Sequence, residues 1–185
     1  MKNIPSQNQF QTLIEKCRRN DTQAQADLYK HFKNKMFVVC LRYANSREDA
    51  EDFLQEGFIK VFRDLNQYKG AGSFEGWVRK VIVNATLEHL RKQKNRPLRI
   101  GLDGIEFKLA EETPIFEDEN QAKTLIKLMQ KMPTGFRTVL NLYILEGYTH
   151  PEIASILDIS VGTSKSQLMR AKACLKKLLE ESLTS

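Results

Sequence analysis

Apolar residues recur at helical spacing over most of this chain. Between residues 21 and 44, Leu28, Phe32, Met36, Val39, Cys40 and Tyr43 share one face, with Asp21 placed to cap the segment. Between 46 and 67, Ala50, Phe53, Leu54, Gly57, Phe58, Val61, Phe62 and Leu65 form a wide amphipathic stripe, opened by Ser46 with Asp49 three residues on. The run Lys69-Gly-Ala-Gly-Ser73 then breaks the chain, and Ser73 is placed to cap a helix over 73–95. On that helix Phe74, Val78, Val81, Ile82 and Ala85 cluster on one side, with Trp77 and His89 near the same face. A short helix near 6–18 precedes these. The pattern resumes at 120–132, at 133–146 with Pro133 at a helix start, at 150–157, and from 161 to about 181. Nothing alternates with a period of two for more than a few residues. The expected fold is all-α: two small helical bundles, 6–96 and 120–182, joined by a linker over 97–119.

Charge sharpens that division. The 185 residues carry a net charge of +6, unevenly spread. Residues 1–45 sum to +5 and 73–99 to +5, whereas 100–120 sum to −6 and 121–185 to +4. Two basic bodies therefore flank an acidic stretch, whose scattered apolar residues, two Gly and one Pro read as linker. A polyanionic partner is the natural expectation for the basic bodies. Apolar residues make up 41% of the chain, too many for full disorder. No apolar run approaches the ~20 residues of a membrane span, and the opening MKNIPSQNQF has no apolar core of a secretory signal. Cys17, Cys40 and Cys174 are odd in number, with no CxxC, so neither a disulfide framework nor a zinc site is indicated. A cytoplasmic protein without membrane insertion, metal or cofactor is expected.

The most specific local pattern lies near the C-terminus. Thr149 and Glu152 have the spacing of a capping box, followed by Ile153, Ala154 and Leu157 as a buried face. A tight turn at 158–160 leads to a second cap at Ser160. In the next helix Val161, Leu168, Ala171, Leu175 and Leu178 are expected inward, and Thr163, Lys165, Ser166, Gln167 and Arg170 outward. This is the pattern of a helix-turn-helix, whose second helix enters a DNA major groove. Lys and Gln suit base edges there, while Ser, Thr and Arg also suit phosphates. The bland alternative is a helical hairpin with a solvated polar face.

Two further faces carry weaker signals. On the 73–95 helix, the side opposite the core carries Lys80, Val83, Asn84, Leu87, Arg91 and Lys94, with Arg79 at its edge. Such a face suits a nucleic-acid strand, unless Val83 and Leu87 pack on a neighbouring helix. On the 46–67 helix, Asp52, Gln55, Glu56, Ile59 and Arg63 point outward; acidity there would repel DNA and favours a protein partner. An enzyme is not indicated: there is no Gly-rich phosphate loop, no nucleophile motif, and no ligand cluster among His31, His89 and His150. The residues leave a DNA-binding regulator acting alone as the main rival to a subunit of a larger machine.

Residues 49–62, DAEDFLQEGFIKVF, resemble the polymerase-binding helix of bacterial sigma factors. Residues 73–91, SFEGWVRKVIVNATLEHLR, resemble their promoter-melting helix, and ISVGTSKS at 159–166 is similar to their fourth conserved region. The order, separated only by a linker, is that of the extracytoplasmic-function (ECF) group. The resemblance implies a region 2-like domain over 6–96 and a region 4-like domain over 120–182. It implies that Asp52, Gln55, Glu56 and Ile59 bind the clamp helices of the polymerase beta-prime subunit. It implies that Lys69, Ser73, Arg79, Lys80, Asn84 and Arg91 capture the minus-ten element as unpaired bases. It further implies that Thr163, Lys165, Ser166, Gln167 and Arg170 read the minus-thirty-five element as duplex. Core RNA polymerase (beta-prime clamp helices and beta flap), promoter DNA and an anti-sigma factor are the partners it implies, with the acidic linker threading toward the RNA exit path.

The match is imperfect. Asp158 stands where the family's turn usually has Gly, Ser164 replaces a usual Val, and Gln167 a usual Arg; Glu88 stands where Asp is common. Asp tolerates a left-handed conformation better than most residues, so the turn is expected to survive. Ser164 is expected to weaken inner packing. The paired aromatics with which primary sigma factors open DNA are absent.

Overall fold

The computed structural model describes residues 7–93 and 119–183, and among these residues every regular element is helical. They fall into two compact units, 7–40 with 48–93, and 41–47 with 119–183. The first contains α1 (Gln7–Arg18), α2 (Thr22–Leu41), α3 (Arg47–Arg63), a 3-10 turn (Leu65–Gln67) and α4 (Phe74–Gln93). The second contains α5 (Glu119–Gln130), α6 (Thr134–Leu140), a π-helical turn (Asn141–Leu145), α7 (His150–Leu157) and α8 (Val161–Leu183). The expected linker and the C-terminal end of the 73–95 helix, with Lys94, lie outside the described residues.

Helix starts follow the side chains that satisfy the first amides. Asp21 Oδ1 accepts from the Ala24 amide at 3.0 Å, and Ser73 Oγ from the Gly76 amide at 3.0 Å. In the first unit the α2 stripe is buried as its spacing requires, as are the α3 residues Ala50, Phe53, Leu54, Gly57, Phe58 and Val61, and Phe58 meets the ring of Tyr29 on α2 edge-on at 4.7 Å between centroids. Gly57 marks a close approach: a Cβ there would lie 2.8 Å from Ile82 Cγ1 on α4. Phe10, Phe32 and Phe74 join α1, α2 and α4 in an aromatic cluster, with ring centroids 5.7–5.8 Å apart. Polar pairs add a second link between α3 and α4. Glu56 Oε1 lies 3.0 Å from His89 Nδ1, and Lys60 bonds Glu88. The Lys60 ammonium, with Lys92 beside it, holds the Glu88 carboxyl below the ordinary carboxylate range.

Several inward and outward assignments need correction. Val83 and Leu87, placed with the polar face of α4, are only 1% and 3% exposed. α4 is buried on more than one side, so a single apolar stripe under-counts its core, while Val81 and Trp77 are half-buried. Val161, expected inward, is exposed at the first turn of α8. The helix expected over 133–146 is also not one α-helix. After α6 the bonding shifts to a π pattern, and the Glu146 amide reaches the Asn141 carbonyl at 3.0 Å. Arg137 is fully buried, and its Nη1 caps the end of α5 through the carbonyls of Gln130 (3.1 Å) and Met129 (3.4 Å).

Candidate nucleic-acid interface

The α7–turn–α8 segment is assembled from local chemistry. The Glu152 amide donates to Thr149 Oγ1 while the Thr149 amide donates to Glu152 Oε2 at 2.7 Å, which closes the capping box. α7 ends at Asp158, whose φ of 53° and ψ of 52° place it in the left-handed region. The turn survives without the usual Gly, and the Ile159 amide bonds the Ala154 carbonyl at 3.0 Å. Ser160 Oγ then accepts from the Thr163 amide at 2.9 Å and opens α8.

Ser164, Leu168 and Ala171 seat α8. Ser164 is fully buried, and its Oγ lies 3.0 Å from His150 Nδ1 on α7. A hydrogen bond thus stands where apolar packing was expected to be weakened. The His150 ring is stacked on Tyr143 at 4.6 Å between centroids. Beside this pair an open concavity of about 530 Å³ is lined by Tyr143, residues 147–151, Val161 and Lys165.

The outward face of α8 differs in detail from the sequence-based set. Lys165 and Arg170 are exposed, together with Gly162, Met169, Lys172 and Ala173. Thr163 Oγ1 is 2.8 Å from Ser160 Oγ, and the Ser166 hydroxyl donates to the Thr163 carbonyl at 3.0 Å. Gln167 is half-buried and lies against α6, its Oε1 only 3.4 Å from where a Cβ on Gly135 would sit. Met169 was missed. It is 67% exposed, and a rotation of about 100° per residue puts it on one line with Gly162, Ser166 and Ala173. Its spacing from Lys165 and Ser166, four and three residues on, is the sequence signal that puts it on this face.

In the first unit, residues 69–73 are all exposed, so Lys69 and Ser73 are presented together on one loop. Arg79, Lys80, Asn84 and Arg91 are half-buried on α4. Burial lowers the Lys80 ammonium below the usual lysine range, and Asn84 Oδ1 is shielded with no hydrogen-bond partner among the described residues. On α3, Asp52 and Gln55 are exposed and Ile59 is 67% exposed, while Glu56 is turned toward His89. No group of three or more His, Cys, Asp or Glu suited to a metal occurs among the described residues, and none of their helices is long and apolar enough to cross a membrane.

Comparison with known proteins places these two units in one family. The Sigma-70 region 2 family model matches residues 28–96, and that of Sigma-70, region 4 matches residues 122–175. The RNA polymerase sigma-H factor of Pseudomonas aeruginosa is 28% identical over 186 residues, covering 95% of this chain and 96% of its own. The ECF RNA polymerase sigma-E factor of Escherichia coli K12 is 28% identical over 175 residues, covering 89% and 91%. Among solved structures, CnrH in complex with the cytosolic domain of CnrY aligns over 92% of this chain and 96% of that one, at 19% identity and a TM-score of 0.45. The sigma factor RpoE of Bartonella quintana, bound to the anti-sigma factor NepR, aligns over 82% and 98% at 20% identity and a TM-score of 0.46. With both sigma regions matched in order, the chain belongs to the extracytoplasmic-function group of RNA polymerase sigma factors, which direct transcription to specific promoters.

Proposed function

We propose that this sigma factor binds core RNA polymerase through the outer face of α3 and reads promoter DNA in two chemically different ways. The 69–73 loop and α4 take the minus-ten element as a melted single strand, and α8 takes the minus-thirty-five element as duplex. The observation that carries the reading is the outward face of α8. Small or apolar side chains run along its centre (Gly162, Ser166, Met169, Ala173), with Lys165 and Lys172 on one side and Arg170 on the other. A groove floor of base edges and rims of phosphate would meet that surface with the right chemistry on each strip.

The minus-ten assignment draws on the first unit. Lys69 and Ser73 offer a cation and a hydroxyl on an exposed loop, and Arg79, Lys80 and Arg91 lie along α4. A phosphate beside Lys80 would offset the burial that lowers its ammonium. Asn84 lies half-buried on the same helix, one turn beyond Lys80. Flipping a base costs a few kcal/mol, and sites that accept only the unpaired base recover that cost selectively. Asp52, Gln55 and Ile59 give α3 a polar rim with one apolar anchor for a protein partner, and Glu56 contributes through its exposed edge. The linker of ~23 residues spans at most ~80 Å, over two turns of duplex at ~34 Å each, so both contacts fit one promoter.

Run-off transcription with bacterial core polymerase on sheared genomic DNA, with and without this protein, tests the reading. Discrete protein-dependent transcripts are expected, their start sites defining both elements. Absence of transcripts, with retention of duplex DNA in the absence of polymerase, would instead establish a regulator acting alone.

A further inference from the structure

The 69–73 loop is built from residues that order poorly by themselves. It is exposed throughout, and Gly70 and Gly72 hold φ angles of 80° and 75°. Glycine loses more backbone freedom on ordering than any other residue, so an untethered loop of this composition would sample many conformations. Three contacts oppose that tendency. Arg18 Nη2, from the end of α1, donates to the Tyr68 carbonyl at 2.5 Å. The Tyr68 hydroxyl reaches across the loop and donates to the Gly72 carbonyl at 3.0 Å. Ser73 Oγ ties the far side to the first turn of α4. Tyr68 is itself fixed, buried with its ring edge-on to Phe74 at 5.0 Å and 5.7 Å from Trp77.

We propose that Tyr68 and Arg18 are positioning residues, which hold the 69–73 loop in one conformation before nucleic acid arrives. The proposal rests on the reading that this loop receives the unpaired minus-ten strand. Its content is energetic: the loop is ordered when the protein folds, so capture of a base does not bear that cost, and preorganised contacts discriminate better than mobile ones. The hydroxyl is the decisive atom. A phenylalanine at 68 would keep the ring against Phe74 and Trp77 and lose only the bond across the loop. Gly70 gives an independent handle, because a Cβ there meets open space yet the positive φ disfavours any L side chain.

The test uses full-length protein, core polymerase and a promoter identified from the wild-type run-off transcripts. Initiation is compared between that promoter and single-base changes across its minus-ten element, for wild type, Tyr68→Phe, Arg18→Lys and Gly70→Ala. Each template is used both as duplex and with the element pre-opened as a mismatched bubble. Tyr68→Phe is expected to lower discrimination by about three- to tenfold, the span of one net hydrogen bond, on duplex and bubble alike. Affinity for core, measured by competition, should stay within about twofold, and Gly70→Ala should show the same pattern while Arg18→Lys retains part of the discrimination. Unchanged discrimination in both Tyr68→Phe and Gly70→Ala would overturn the proposal and leave the promoter-reading function standing. A proportional fall in core binding and initiation, with discrimination intact, would reduce Tyr68 to a stabilising residue and also overturn it. No protein-dependent transcripts from wild type would refute the functional reading itself, and the proposal with it.

Discussion

The contact between His150 and Ser164 couples α7 to α8, and its worth follows from its setting. Ser164 is fully buried and its Oγ lies 3.0 Å from His150 Nδ1. Ser164→Ala removes the hydroxyl without adding bulk. A net hydrogen bond contributes about 1 kcal/mol, and an orphaned partner costs more only where water cannot reach it. His150 is half-buried, so the lower figure applies: α7 and α8 should lose about 1 kcal/mol of local stability. His150→Phe keeps an aromatic ring against Tyr143 but removes the nitrogen. In the double variant the losses should not add, leaving a coupling energy of about 0.5–1.5 kcal/mol. Fluorescence is the wrong probe, because the single tryptophan, Trp77, belongs to the other unit. Native-state hydrogen exchange at α8 amides reads the motif directly, and protection should fall about fivefold in Ser164→Ala. Additive single losses, with coupling under about 0.3 kcal/mol, would refute the claim that this bond joins the helices.

Three other outcomes follow from the packing and charge already described. Gly57→Ala should destabilise the first unit by about 1 kcal/mol in urea titrations read by Trp77 fluorescence, because overpacking outweighs the helix-propensity gain of about 1 kcal/mol. Ile82→Val should not rescue it, since the contact is with Cγ1, which valine retains as a γ-methyl; full rescue would place the clash elsewhere. Burial first, then the Asp21 and Asp27 carboxylates, push the Cys17 thiol from its ordinary 9.0 up to about 11. The folded chain holds this proton more tightly than the unfolded one. The stabilisation is therefore complete below pH 9 and is lost as pH rises toward 11. At pH 8 iodoacetamide should label the half-buried Cys174 well before Cys17, and equal rates would contradict the burial. Asp52→Lys with Ile59→Ala should weaken core polymerase binding at least about tenfold with circular dichroism unchanged, and undiminished binding would sink the α3 assignment.

Much of the architecture was legible because it is set by local chemistry. Asp21, Ser73, Thr149 with Glu152, and Ser160 each mark a helix start in the sequence, and each makes the expected bond. The α2 and α3 stripes were equally plain, since each helix presents one face to the core. α4 was not, because Val83 and Leu87 on one side and Val78 and Ile82 on another are all buried. A helix enclosed by neighbours has no single stripe for periodicity to find. The π turn left no local signal: its distinguishing bond, Glu146 to Asn141, is a choice among carbonyls that any helical sequence offers. On α8 the exposure of the charged residues Lys165 and Arg170 followed from type and spacing. Gln167 was misplaced because its side chain turns toward Gly135, which sequence spacing within α8 does not reveal.

The π turn at Asn141–Leu145 has a consequence for how this segment tolerates change. It carries one residue more than an α-helical turn would need, so everything after it is rotated by about 100° relative to a regular continuation. Deleting a single residue there would restore ordinary bonding and improve local geometry. It would also swing Tyr143 away from His150 and move the start of α7 around the helix axis. The segment should therefore tolerate a substitution at its exposed Ile144 more readily than any change in length, whereas Asn141, fully buried and donating to the Arg42 and Arg137 carbonyls, is held by identity as well as by count.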